Sequence, residues 1–252
     1  MTNNPIRSTD SNQNDIKNGA FVAGIIILAA TLIVVFLMLH HPSPGSHSFA
    51  DKVDEFGSNG GHSHKGMSNV LVHGGAIAIM GLYVFAFSWL STCLGWNRTS
   101  VRLAMLSYTL GALGMIAAAM VSGFIMPFFL GRYDGATPAE SEMAIQVLRL
   151  LRDVNRCFDQ LGVIAMSSGV LFFAIAMLCE RQRFWIAGIL GVIVGLAGMA
   201  SPVSGHFDAT VHGIIAFVIL QGIWNITVAI LLMRWRDNRK PNQSDLIHSP
   251  AS

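Results

Sequence analysis

The sequence predicts an all-α membrane protein, a six-transmembrane-helix bundle with an amphipathic interfacial helix before the fourth span. Three observations carry this reading. Charged residues make up 12% of the chain, about half the roughly 25% of soluble domains, and mean hydropathy is +0.53. Six apolar segments each approach the ~20 residues that a helix needs to cross a hydrocarbon core of about 30 Å. Most Lys and Arg residues lie in the connections between those segments. A chain of 252 residues fits one such bundle, with no second domain.

The elements follow in order. Residues 1–19 are polar and rich in Asn, Ser and Thr, and read as a disordered cytoplasmic tail. The membrane domain covers 20–233, with spans at about 20–39, 70–94, 103–129, 158–179, 184–201 and 209–233. The first apolar run exceeds a 7–15-residue signal core, and the small-x-small sequence Ser48-Phe49-Ala50 lies ten residues beyond it. It therefore reads as an uncleaved anchor. A first connection, 40–69, is rich in Gly, Ser, Pro and His. Pro127 kinks or ends the third span, because its ring has no N–H for the helix ladder. A second long connection, 131–157, holds apolar Met143, Val147, Leu150, Leu151 and Val154 at helical spacing. Pro138, Glu140 and Glu142 mark the start of that helix. A basic tail, 234–252, follows the last span.

Charge sets the expected orientation. With both termini in the cytoplasm, ten Lys and Arg residues face inward and six outward. That asymmetry follows the positive-inside rule and places the chain as a multi-pass protein of the cell inner (plasma) membrane. The connections 40–69 and 131–157 then face the exterior. The formal charge of +2 is too small to suggest nucleic acid. Cys93, Cys157 and Cys179 are isolated and form no CxxC pair, so they support neither a disulfide framework nor a thiolate metal site.

Eight of the nine histidines fall on the expected outer side. Imidazole is the commonest protein metal ligand and titrates near neutral pH, so a one-sided cluster points to metal, haem or proton chemistry there. His73 and His212 each sit in a Val-His-Gly sequence about one turn into a span. An ionisable residue inside a span is costly and marks a functional site by default. The adjoining glycines remove bulk, so a macrocycle or another helix can come close. Two such histidines on facing helices can hold a haem iron axially, with Ile77, Met80, Tyr83, Val84, Phe217, Leu220 and Trp224 as apolar surroundings. This arrangement resembles that of b-type membrane cytochromes. The resemblance covers helices and two histidines, and it implies haem b and electron transfer. One interhelical hydrogen bond per histidine is the simpler alternative.

A second constellation adds acids. His206 and Asp208 precede the sixth span, and Asp159 opens the fourth, four residues after Asn155. Together with His73 and His212 they offer three imidazoles and two carboxylates, a donor set that suits zinc with an open position for hydrolysis. It resembles the membrane hydrolases of the alkaline ceramidase type, which combine Ser, Asp and three His. Those enzymes space two histidines four apart, whereas His206 and His212 are six apart. Helix N-capping is the plainer role for each acid.

The first connection offers a third site. His40, His41, His47, His62 and His64 lie among Gly, Ser and Pro, a composition that binds copper or zinc loosely. Gln221 and Asn225, four apart in the last span, read as interhelical hydrogen-bonding groups. There is no phosphate loop, no GxGxxG, no GxSxG and no HExxH. Three classes remain. The first is a haem- or metal-binding membrane protein in electron transfer or respiratory metal-centre assembly, with respiratory membrane proteins as partners. The second is a zinc-dependent hydrolase of a lipid-like substrate. The third is a small transporter or accessory subunit with structural or pH-responsive histidines.

Overall fold

The computed structural model describes residues 7–39, 64–133, 135–180, 184–203 and 211–235. Among these the regular elements are all helical: α1 (Arg7–Leu39), α2 (His64–Leu94), α3 (Thr99–Met120), a π-helical turn (Val121–Ile125), α4 (Met126–Leu130), a 3-10 turn (Gly131–Tyr133), α5 (Pro138–Cys179), α6 (Trp185–Val203) and α7 (Val211–Met233). Five stretches are long and apolar enough to cross a membrane: Asp15–Leu39, Ser68–Leu94, Thr99–Tyr133, Pro138–Cys179 and Trp185–Pro202. Phe217–Met233 is a shorter apolar helix.

Two helices begin earlier than the apolar pattern suggests. α1 starts at Arg7, within the polar stretch expected to be disordered, and α2 starts at His64, inside the expected first connection. Once a span has formed, each further residue adds one hydrogen bond at little cost, so polar flanks extend the helix. The amphipathic stretch before the fourth span is helical and continuous with that span, giving the 42-residue α5. Its start obeys a capping box. Pro138 takes the first position, the Thr137 N–H donates to Glu140 Oε2 at 2.8 Å, and the Glu140 N–H donates to Thr137 Oγ1 at 3.4 Å.

The helices pack as a ring in chain order, α2 beside α1, α3 beside α2, α5 beside α3, α6 beside α5, α7 beside α6 and α7 again beside α1. Phe87 of α2 is the hub of the core. Its ring lies 4.4 Å from that of Tyr108, 5.6 Å from Phe173 and 5.5 Å from Trp224, the last almost parallel at 9°. Trp224 also donates its indole N–H to the Ala187 carbonyl at 3.1 Å. One aromatic residue thus joins α2, α3, α5 and α7, and the indole adds α6. The outward faces are apolar, with Leu103, Leu106, Leu110 and Leu113 on α3 and Ile186, Ile189, Ile193 and Leu196 on α6 all exposed. Spacings of three and four put each set on one stripe, the pattern of a helix facing lipid.

α3 and α5 meet backbone to backbone. A side chain added at Gly111 would come within 2.4 Å of the Met166 nitrogen, and one at Gly162 within 2.8 Å of the Met115 sulfur. Small residues at such points let helices pack closely in lipid, where no hydrophobic force draws them together. At the other end of α3, Gly95 has φ +92° and turns the chain between α2 and α3. There Arg98 pairs with Glu180, tying this turn to the end of α5.

Gly111→Val should therefore lower the thermal midpoint of the detergent-purified protein by several degrees or prevent its accumulation, since overpacking costs about 1–3 kcal/mol. Gly81→Ala, whose added Cβ meets nothing within 4 Å, should leave the melting curve almost unchanged.

Candidate functional site at the His73 end of the bundle

The site is built around a fault in the third span. Within the π-helical turn the Met126 N–H reaches the Val121 carbonyl, five residues back. The next residue, Pro127, has no N–H. The carbonyls it would have served, four and five residues back, are those of Gly123 and Ser122. Asn69 of α2 supplies the missing donor. Its side-chain Nδ2 lies 3.3 Å from the Gly123 oxygen and 3.4 Å from the Ser122 oxygen. Asn69 is 6% exposed, so this amide is committed to the protein interior. A buried carbonyl left without a donor would cost about 1–3 kcal/mol, which makes Asn69 the natural complement of Pro127.

The same residue positions His73. The Asn69 backbone oxygen lies 2.9 Å from His73 Nδ1. A carbonyl can only accept, so Nδ1 carries a proton, and in the neutral ring Nε2 then holds the lone pair. Metal-binding histidines are commonly held this way, with the second nitrogen fixed by a carbonyl. The His73 side chain is seated on Gly123: a Cβ there would fall 2.3 Å from His73 Cβ and 2.6 Å from its Cγ. The neighbouring glycines admit helices. Gly74 faces Phe124, and Gly75 faces Leu37 of α1.

Asp159 lies on α5, 6% exposed. It accepts a hydrogen bond from Asn155 Nδ2 at 3.0 Å, while the Asn155 Oδ1 is buried without a partner. The two residues expected to share a helix face therefore do so, in mid-helix and not at an N-cap. α3 and α5 are antiparallel, with Gly111 against Met166 and Gly114 against Gly162. Extending that register by a helical rise of about 1.5 Å per residue brings Ser122 and Gly123 near the height of Asn155. His73 and the Asn155–Asp159 pair thus belong to the same end of the bundle.

α2 and α7 both pack antiparallel to α1. Thr31 meets Tyr83 on one side and Gly222 on the other, and Gly24 meets Ala229 and Met233. α2 and α7 are therefore parallel, and the Phe87–Trp224 stack fixes their relative height. His73 precedes Phe87 by 14 residues and His212 precedes Trp224 by 12, which is about 21 Å and 18 Å of helix. Their backbones reach comparable heights. The side chains of His212 and His64 lie outside the described residues, as do His62, His206 and Asp208 entirely. Among the described residues no three His, Cys, Asp or Glu side chains form a metal-sized group.

One of the expected haem neighbours, Tyr83, is engaged deeper in the core. Tyr83 OH lies 2.8 Å from Thr31 Oγ1, whose own proton goes to the Ile27 carbonyl at 2.7 Å. Tyr83 must then donate to Thr31, and it also bonds Asn225. Gln221 Nε2 donates to Asn225 Oδ1 at 3.3 Å, while its Oε1 is buried without a partner. Gln221 and Asn225 thus bond each other, and only Asn225 reaches another helix. Asn69 and Thr31 went unnoticed in the sequence, since their partners are about 50 residues away.

No protein-family model, curated protein or solved structure matches this chain.

Asn69→Leu should destabilise the folded protein by about 2 kcal/mol through the orphaned carbonyls. Pro127→Ala restores a backbone N–H, so the same substitution in that background should cost less. A double-mutant cycle on denaturant unfolding would show a coupling above about 0.5 kcal/mol.

Proposed function

We propose that this chain is a six-span integral membrane protein that binds haem b or a transition metal at the His73 end, with His73 and His212 as ligands. The last helix, α7, is the sixth span. It closes the ring between α6 and α1 and supplies Trp224 to the core. The N-terminal half of α5 is an amphipathic extension of the fourth span, and both termini are cytoplasmic. The role is electron transfer, or assembly of a respiratory metal centre, with a respiratory membrane protein as partner.

The observation that carries this reading is the tautomer of His73. The bond to the Asn69 carbonyl puts the proton on Nδ1, so in the neutral ring the lone pair lies on Nε2, the nitrogen a metal would use. Packing of its Cβ and Cγ against Gly123 restricts where the ring can lie. A ligand held in place beforehand loses less freedom when a metal or haem iron arrives. A second reading rests on Asp159. A carboxylate 6% exposed and bonded only to a neutral amide suits a zinc-dependent hydrolase acting on a lipid-like substrate, with His73, His206, Asp208 and His212 completing the metal set. Copper is the alternative metal, collected by the histidines of the first connection, His62 and His64 among them.

Absorption spectroscopy with metal analysis separates the readings, on detergent-purified protein expressed with haem and metals supplied. The expected result is a Soret band, or one bound metal ion per chain, lost in both His73→Ala and His212→Ala. A stoichiometric zinc without a Soret band selects the hydrolase. Protein free of both haem and metal, or binding that survives both substitutions, contradicts the proposal.

A further inference from the structure

α5 is too long for a bilayer. Its 42 residues measure about 63 Å, twice the hydrocarbon thickness of about 30 Å. The surplus lies before Phe158 and carries an apolar stripe turned away from the bundle. Met143, Val147, Leu150, Val154, Cys157 and Leu161 follow one another at intervals of 4, 3, 4, 3 and 4 residues. Met143 is 59% exposed, Leu150 63%, Val154 37% and Leu161 47%, Cys157 is also exposed, and Val147 is half-buried. The opposite face carries the buried residues Ala144, Asp159 and Gly162.

We propose that this stripe is a two-stranded coiled-coil seam that joins two copies of the chain. The alternation of three and four is the heptad spacing of coiled-coil core positions. The residues largely follow the further rule for pairs: β-branched Val147 and Val154, with Leu161, fill one set of positions, and Met143 and Leu150, neither of them β-branched, fill the other with Cys157. Two copies inserted the same way in one membrane must present α5 in parallel, related by a two-fold axis along the membrane normal. Arg149, Arg152 and Arg156 all fall off the seam, so pairing brings no arginines face to face across it. The exposed parts of these six residues on both copies come to roughly 1,000 Å², the low end for a specific interface. Confinement to one membrane raises the effective concentration and lowers the affinity required. Beyond Leu161 the helix packs on α6, where Leu171 lies against Gly195.

In a parallel pair each core position faces its own counterpart. Cys157 therefore lies across the seam from Cys157 of the second copy. The test is oxidation with copper–phenanthroline in native membranes, using Cys93→Ser/Cys179→Ser protein so that Cys157 is the remaining thiol. The two thiols give up two electrons and two protons to the oxidant and form one S–S bond. The expected product runs at twice 27.2 kDa. It should vanish on Cys157→Ser and fall at least tenfold on Leu150→Glu, while Arg152→Glu, off the seam, keeps it within twofold. Monodisperse elution of each variant checks that it folds. Three results would each overturn the proposal: no cross-link from folded Cys157-only protein, a cross-link that survives Leu150→Glu, or equal loss with Arg152→Glu. The first, with single chains counted in dilute vesicles, would assign the stripe to lipid.

Discussion

Apolar helices gain nothing from hiding their surfaces in a bilayer, so they hold together through fit, and this chain obtains fit by leaving side chains out. Gly111 and Gly114 of α3 face Met166 and Gly162 of α5 at distances a Cβ would forbid. That contact sets the register of the two helices at the centre of the fold. Gly123, in the π-helical turn at the end of α3, is the point at which α2 can approach, and the residue that fills the approach is His73. The height and position of the one intramembrane histidine with a described side chain therefore follow from glycines on other helices.

Pro127 turns this geometry into chemistry. Its missing N–H leaves the Ser122 and Gly123 carbonyls in want of a donor, and the Asn69 amide provides it. Once Asn69 is fixed, its own carbonyl fixes the proton on His73 Nδ1. A backbone irregularity in one span thus selects which nitrogen of an imidazole in another span carries the proton. The two halves of the bundle differ in what they do with polar groups. Near the hub, Thr31, Tyr83, Asn225 and Gln221 form a chain that consumes its own donors. At the His73 end, the Asn155–Asp159 pair is all acceptor on its far side.

Much of the fold was legible because the bilayer imposes length. The apolar runs fell on α1, α2, α3, α5, α6 and α7, and the capping signals at Pro138 and Glu140 marked the start of α5. What remained hidden has physical reasons. Helix ends slid outward at Arg7 and His64, since polar residues extend a formed helix at little cost. The ring order depends on which glycine meets which neighbour, and a glycine reads the same on every face. Pro127 was recognisable as a breaker, but its consequence needs Asn69, a residue that no local pattern links to it. The Asn155–Asp159 spacing was readable because it is local. Tyr83 and Trp224 read as neighbours of a cofactor, whereas the stack on Phe87 and the bond to Ala187 commit Trp224 to the core.

The central claim is that the structure holds the His73 ring in one tautomer, with its proton on Nδ1. Solid-state NMR of the protein in lipid, with ¹⁵N-labelled histidine assigned through a His73→Gln control, reads it directly. The account predicts a neutral His73 ring protonated at Nδ1, and loss of that preference when Asn69→Pro or Gly123→Ala disturbs its seat. A ring protonated at Nε2, or one exchanging freely between both tautomers, would contradict it.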